Sequence, residues 1–168
     1  MTLKLELERE LDETQHLFID LVETIPESDY SLPSDNPAWT VGDILFHITL
    51  GPRALAFEVW MIVHARGLYS LATRYFPSKF FNRLNEWFGN GQGKRVSRQG
   101  LIKAYGQAHE VIKSRLRRTR DEDFSKSVVY PRDYVSDLEG DVSVERVFRY
   151  VKGHFLEHER ALKRDSLV

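Results

Sequence analysis

Six histidines and no cysteine occur in the 168-residue sequence, so any metal chemistry must rest on imidazole and carboxylate ligands. His154 and His158 stand four residues apart in a stretch of helical periodicity. At 3.6 residues per turn they stack one above the other, a spacing at which two imidazoles grip one ion. They share the face of Val147, Val151 and Leu162, which predicts that they point inward. His47 lies at the edge of a second apolar stripe, about 60° from Ile44 on the helical wheel. Burying three neutral imidazoles costs free energy unless each finds a partner, and one divalent cation satisfies all three. Three nitrogen ligands leave coordination positions open, as catalytic sites require. Zinc or nickel suits such a donor set, and the residues do not choose between them. The plain alternative is three core histidines without a metal.

The remaining histidines carry less. His109 falls near the inward stripe of its segment with no partner at metal spacing, and His16 and His64 read as surface or boundary residues. Asp43 precedes His47 by one turn and has two readings, an orienting carboxylate for the imidazole or a helix cap. Glu157 and Glu159 project to other faces and read as solvated.

Four long helices must position these residues, and the pattern predicts an all-α four-helix bundle. Helix one runs from about Leu3 to Ile25, with Leu7, Leu11, Phe18, Leu21, Val22 and Ile25 on one face, and Pro26 stops it. Helix two starts at Thr40 as N-cap, with Asp43 completing a capping box and Trp39 and Ile44 a hydrophobic staple. Its apolar face continues through Ile48, Leu55, Val59 and Ile62, and Pro52 predicts a kink. Helix three spans roughly Ser97 to Arg120 on Leu101, Tyr105, Ala108, Ile112 and Leu116. Helix four spans about Ser143 to Lys163 on Val144, Val147, Phe148, Val151, Phe155 and Leu162. Between helices two and three, Phe80, Phe81, Leu84, Trp87 and Phe88 predict an extra short amphipathic helix. It either covers one end of the bundle as a lid or forms part of a homodimer contact. The connection from Asp121 to Asp141 is long, with Val128-Val129-Tyr130 as a short extended piece.

Bulk composition narrows the partners. With 42% hydrophobic and 29% charged residues, the chain reads as one soluble globular domain. A formal net charge of −1 gives no bulk case for nucleic acid or an anionic membrane. The basic run Lys113 to Arg120 reads as cations complementing a helix C-terminus rather than a nucleic-acid patch. The acidic N-terminus is not a signal peptide, and no apolar run approaches the ~20 residues of a membrane span. A cytoplasmic setting and a small-molecule substrate are the expectation.

Two stretches resemble the DinB/YfiT-like family of four-helix-bundle metalloenzymes. Trp39-Thr40-Val41-Gly42-Asp43-Ile44-Leu45-Phe46-His47 is similar to that family's W-[ST]-V-x-[DE]-[IL]-L-x-H entry to its second helix, and His154-x-x-x-His158 to the pair on its last helix. Helix order and spacing fit over nearly the whole chain. The resemblance implies a metal held by His47, His154 and His158, and a link to transferases and an isomerase that use thiols such as bacillithiol or mycothiol. Many members follow the last histidine with Arg-Gly-Gln, where this chain has Glu159-Arg160-Ala161. The difference falls on the substrate side of the site, not on the ligands.

The leading expectation is therefore a metal-dependent enzyme in which the ion activates a small thiol for attack on an electrophile, with hydrolysis as a variant. Trp39, Trp60, Trp87, Tyr130 and Tyr134 are candidate pocket walls. The alternatives are a non-catalytic metal- or ligand-binding stress-response bundle, and a plain structural bundle.

Overall fold

The computed structural model describes residues 2–35, 39–75, 96–130 and 138–162. Four long helices form a bundle: α1 (Leu3–Thr24), α2 (Val41–His64), α4 (Arg98–Arg118) and α5 (Val144–Leu162). A shorter α3 (Arg66–Tyr75) follows α2 after a one-residue break at Ala65. The apolar stripes read from the sequence all face inward: Leu7, Leu11, Phe18, Ile48, Val59, Leu101, Ile112, Val147 and Phe155 are each at most 1% exposed. Removing a side chain of this size from water contributes about 1.5–3 kcal/mol, which makes these stripes the main source of stability.

The first two helices do not pack broadly on each other. Both α1 and α2 pack on α4 and on α5, which places α1 and α2 on one diagonal of the bundle. The core forms two clusters along the bundle axis. One gathers Leu7, Leu11, Val59, Ile62 and Val147. The other gathers Phe18, Trp39, Ile44, Ile48, Tyr105 and Phe155. The inward histidines lie at the second.

Helix α2 begins as its residues dictate. The Asp43 amide donates to Thr40 Oγ1 (3.2 Å), and the Asp43 carboxylate accepts from the Thr40 amide (3.0 Å), a full capping box. Trp39 and Ile44 are both buried in one cluster, as a hydrophobic staple requires. The helix continues across Pro52 without interruption. Ser97 caps α4 by accepting the Gly100 amide at 3.2 Å.

The long connection before α5 contains a hairpin. Strands β1 (Ser127–Tyr130) and β2 (Gly140–Ser143) pair antiparallel with Val128 opposite Val142, both buried. The extended piece expected at Val128–Tyr130 is therefore present. β2 runs straight into α5, whose first amides are held by the loop: Val144 N–H donates to the Lys126 carbonyl (2.9 Å) and Glu145 N–H to that of Phe124 (3.2 Å). The extra helix expected at Phe80–Phe88, with its lid or homodimer role, lies outside the described residues. No helix among the described residues is long and apolar enough to cross a membrane.

Candidate metal centre

Two helices bring the three histidines together. The capped start of α2 sets the phase that turns His47 inward, and α5 presents His154 and His158 one turn apart on the facing side. One ligand atom from each lies within 4.8 Å of the other two. His154 Nε2 and His47 Nε2 approach to 3.3 Å. Nitrogens held at 2.0–2.1 Å by a tetrahedral zinc stand about 3.3 Å apart, so this pair already has the spacing of two ligands. Without an ion the same contact is an N–H···N hydrogen bond whose donor depends on the tautomer. The His158 ring lies edge-on to both, with centroids 4.7 Å from His47 and 4.6 Å from His154.

The electrostatics favour bare imidazoles. Burial, and then the neighbouring His158, push the His47 pKa down to about 3. Burial followed by the charges of His158 and His47 lowers His154 well below the usual histidine range. His158 is also lowered by burial, with Glu157 opposing. Neutral imidazoles at pH 7 present the lone pairs that a cation needs. His47 Nδ1 and Trp39 Nε1 are buried beside the cluster without a hydrogen-bond partner among the described residues. Asp43 therefore does not bond the imidazole, and its carboxylate serves the helix cap.

Of the expected pocket walls, Trp39 belongs to the site. Its ring centroid is 4.8 Å from that of His47 and stacks over His158 at 6.5 Å. Trp60 instead packs with Phe57 and His64 near the far end of α2. Thirteen residues after His47, it stands about 20 Å further along the helix axis. Tyr130 is buried in the hairpin, and its hydroxyl donates to Glu58 Oε2 at 3.2 Å and meets the Tyr69 hydroxyl at 2.8 Å. Burial raises the Glu58 pKa to about 7 against the opposing hydrogen bonds of Tyr130 and Tyr69. Trp87 and Tyr134 lie outside the described residues. His16 and His64 are exposed, as expected, whereas His109 is fully buried and its two ring nitrogens have no hydrogen-bond partner among the described residues.

Two contributors escaped the sequence reading. Gly51, one turn after His47, faces His154: a Cβ there would stand 2.6 Å from His154 Nδ1 and 2.7 Å from Cε1. Only glycine lets the imidazole lie against the α2 backbone. The signal that could have found it is its i+4 spacing from His47 within α2. Tyr150, one turn before His154, places its ring 6.2 Å from that imidazole and donates to Glu157 Oε2 at 3.3 Å. Glu157 is thus near the cluster, and its pairing with Tyr150 joins residues seven apart, a contact that no four-residue spacing rule reveals.

No curated protein matches the sequence. A mycothiol-dependent maleylpyruvate isomerase of known structure superposes with a TM-score of 0.67 at 11% identity, over 99% of this chain and 62% of that one. This chain thus spans under two thirds of the isomerase. YfiT from Bacillus subtilis, described as a probable metal-dependent hydrolase with an unusual four-helix bundle topology, superposes with a TM-score of 0.67 at 17% identity, over 95% of this chain and 83% of that one. At such identities the likeness is one of fold. The DinB superfamily matches residues 10–160, and the chain belongs to that family.

Proposed function

We propose that the protein is a metal-dependent enzyme in which His47, His154 and His158 hold a divalent ion, zinc or nickel. The observation that carries this reading is the 3.3 Å approach of Nε2 atoms from two different helices, with the third imidazole beside both. When bound, such an ion supplies Lewis acidity that draws the pKa of a thiol or water toward neutrality. The chain's own residues do the rest. Burial keeps the imidazoles unprotonated, and Trp39 shields one side of the cluster from water. Gly51 lets His154 reach its place, and Tyr150 with Glu157 offers a hydroxyl and a carboxylate near the cluster.

Within that class we assign a small-molecule electrophile as substrate and a low-molecular-weight thiol as cosubstrate, in a transferase-like reaction. Membership of the DinB superfamily and the fold shared with a mycothiol-dependent isomerase support this choice. Metal-dependent hydrolysis is the second reading, favoured by the likeness to YfiT.

Metal content of the purified protein tests the site. Wild type incubated with Zn²⁺ or Ni²⁺ should retain about one ion per chain, and His154→Ala should retain far less, since it removes one of the three ligand atoms. A wild type that holds no metal overturns the proposal. Electrophile consumption with and without added thiol then separates transfer from hydrolysis.

A further inference from the structure

The basic run at the end of α4 divides into cations that have partners and two that do not. Lys113 pairs with Asp12, Arg117 with Glu8 (3.4 Å), and Arg120 with Glu122 (2.8 Å) and Asp123 (3.1 Å). Beyond the helix, Lys126 also pairs with Asp123 at 2.8 Å. Arg115 and Arg118 form no ion pair and no side-chain hydrogen bond among the described residues. The Arg115 Nε is buried and unsatisfied. Burial, then the adjacent Arg118 charge, lowers the Arg115 pKa from its usual range. Two guanidiniums one turn apart repel each other at a cost that an anion between them would remove.

These arginines line a cavity of about 370 Å³ together with Trp60 and His64 of α2 and with Arg120, Lys126 and Asp123, whose carboxylate is neutralised by its two ion pairs. The cavity's size falls in the range of small-ligand sites, about 300–1,000 Å³. Trp60 lines the cavity and is 39% exposed, with the Phe57 ring stacked on it at 6.0 Å and the His64 ring tilted at 5.8 Å. The same two arginines also line a second cavity together with Glu110, whose carboxylate is engaged by Lys113 and Arg117. His64 follows His47 by seventeen residues, which sets this region about 25 Å along α2 from the metal centre.

We propose that the cavity between Trp60 and the Arg115–Arg118 pair is a second ligand site, one that takes a small phosphate ester carrying a flat aromatic group. The dianionic phosphate engages both guanidinium forks, whose planar geometry suits bidentate contact with phosphate oxygens. The ring lies against Trp60. A cavity of this size and a chain of net charge −1 favour a small anion over a nucleic-acid backbone, which needs an extended basic surface. The site shares no residue with the three-histidine cluster, so it stands whether or not that cluster binds metal.

Calorimetric titration of the full chain with phenyl phosphate, inorganic phosphate and phenol tests the assignment. Phenyl phosphate should bind most tightly, inorganic phosphate more weakly, and phenol not at all. Arg118 is exposed, so Arg118→Gln should fold normally and weaken phenyl phosphate by about tenfold, as expected for a lost charged contact of about 1.4 kcal/mol. Trp60→Leu should remove the advantage of phenyl phosphate over inorganic phosphate while leaving metal content unchanged. Unchanged affinity in both variants overturns the site, as does the absence of binding at millimolar concentration. A single-stranded oligonucleotide that binds through Arg115 and Arg118 where phenyl phosphate does not would overturn it in favour of nucleic-acid contact.

Discussion

At the scale of residues, the site depends on a side chain that is missing. Gly51 has no Cβ, and His154 occupies the space one would fill. Alanine is favoured over glycine in a helix interior by about 1 kcal/mol, so Gly51→Ala should leave α2 intact or firmer while displacing the His154 imidazole. We expect the variant to keep wild-type circular dichroism and to lose zinc affinity by at least about tenfold, measured by chelator competition. Wild-type affinity in Gly51→Ala would remove glycine from the account of the site. His109 is a second residue-scale case. Fully buried and without a hydrogen-bond partner among the described residues, it packs edge-on against Tyr105 with ring centroids 4.4 Å apart. Burial, then the Lys113 charge, pushes its pKa down to about 3 against the opposing Asp12. Because the unfolded chain takes up this proton near pH 6.5 and the folded chain does not, stability falls as pH drops from about 6.5 toward 3, by about 1.4 kcal/mol per unit. Denaturant titrations at pH 7.5 and pH 5 should show that His109→Phe flattens this loss; an unchanged slope would refute it.

At the scale of elements, two devices hold the parts that carry the site. The capping box of Thr40 and Asp43 sets where α2 begins and hence the phase of His47. Thr40→Ala should cost about 1 kcal/mol of stability in urea denaturation. The hairpin is tied to the bundle through the Tyr130 hydroxyl on Glu58, with Tyr69 of α3 alongside. The Glu58 pKa is raised from 4.5 to about 7, so the sign is opposite to that of His109: its contribution is full below about pH 4.5 and is lost as pH rises through 7. Glu58→Gln keeps an acceptor for Tyr130 and removes the titration. It should therefore gain stability relative to wild type at pH 7.5 but not at pH 4, and an equal change at both would show that Glu58 does not titrate on unfolding.

At the scale of the whole molecule, burial of the histidine cluster sets how metal binding answers to acid. Three imidazoles with an ordinary pKa of 6.5 would lose affinity on the order of 1000-fold between pH 7.5 and 5.5, because protons compete at each. Here all three pKa values are lowered, so the ligands stay deprotonated as pH falls and zinc affinity should drop far less over that interval. A thousandfold fall in chelator competition would show that the cluster is open to water. Much of this architecture was legible in the chain. The stripes of α1, α2, α4 and α5 and the Thr40 cap follow from local periodicity and from hydrogen bonding within three residues. The meeting of His47 with His154 and His158 was legible only as far as each imidazole's inward face, together with the likeness of the Trp39–His47 segment to a family entry motif. What the sequence by itself determined was which residues face a core. Tertiary structure alone decided which faces meet: α1 and α2, neighbours along the chain, take opposite corners, and Trp60 stands far from the histidines it was expected to border. It also decided that Gly51 receives an imidazole and that, among the described residues, Arg115 and Arg118 are left without carboxylates while their neighbours are paired. The physical reason is that helical periodicity is a local property carried by hydrogen bonds four residues long, whereas close approach and charge pairing depend on which helices pack, and many sequence-distant contacts set that together.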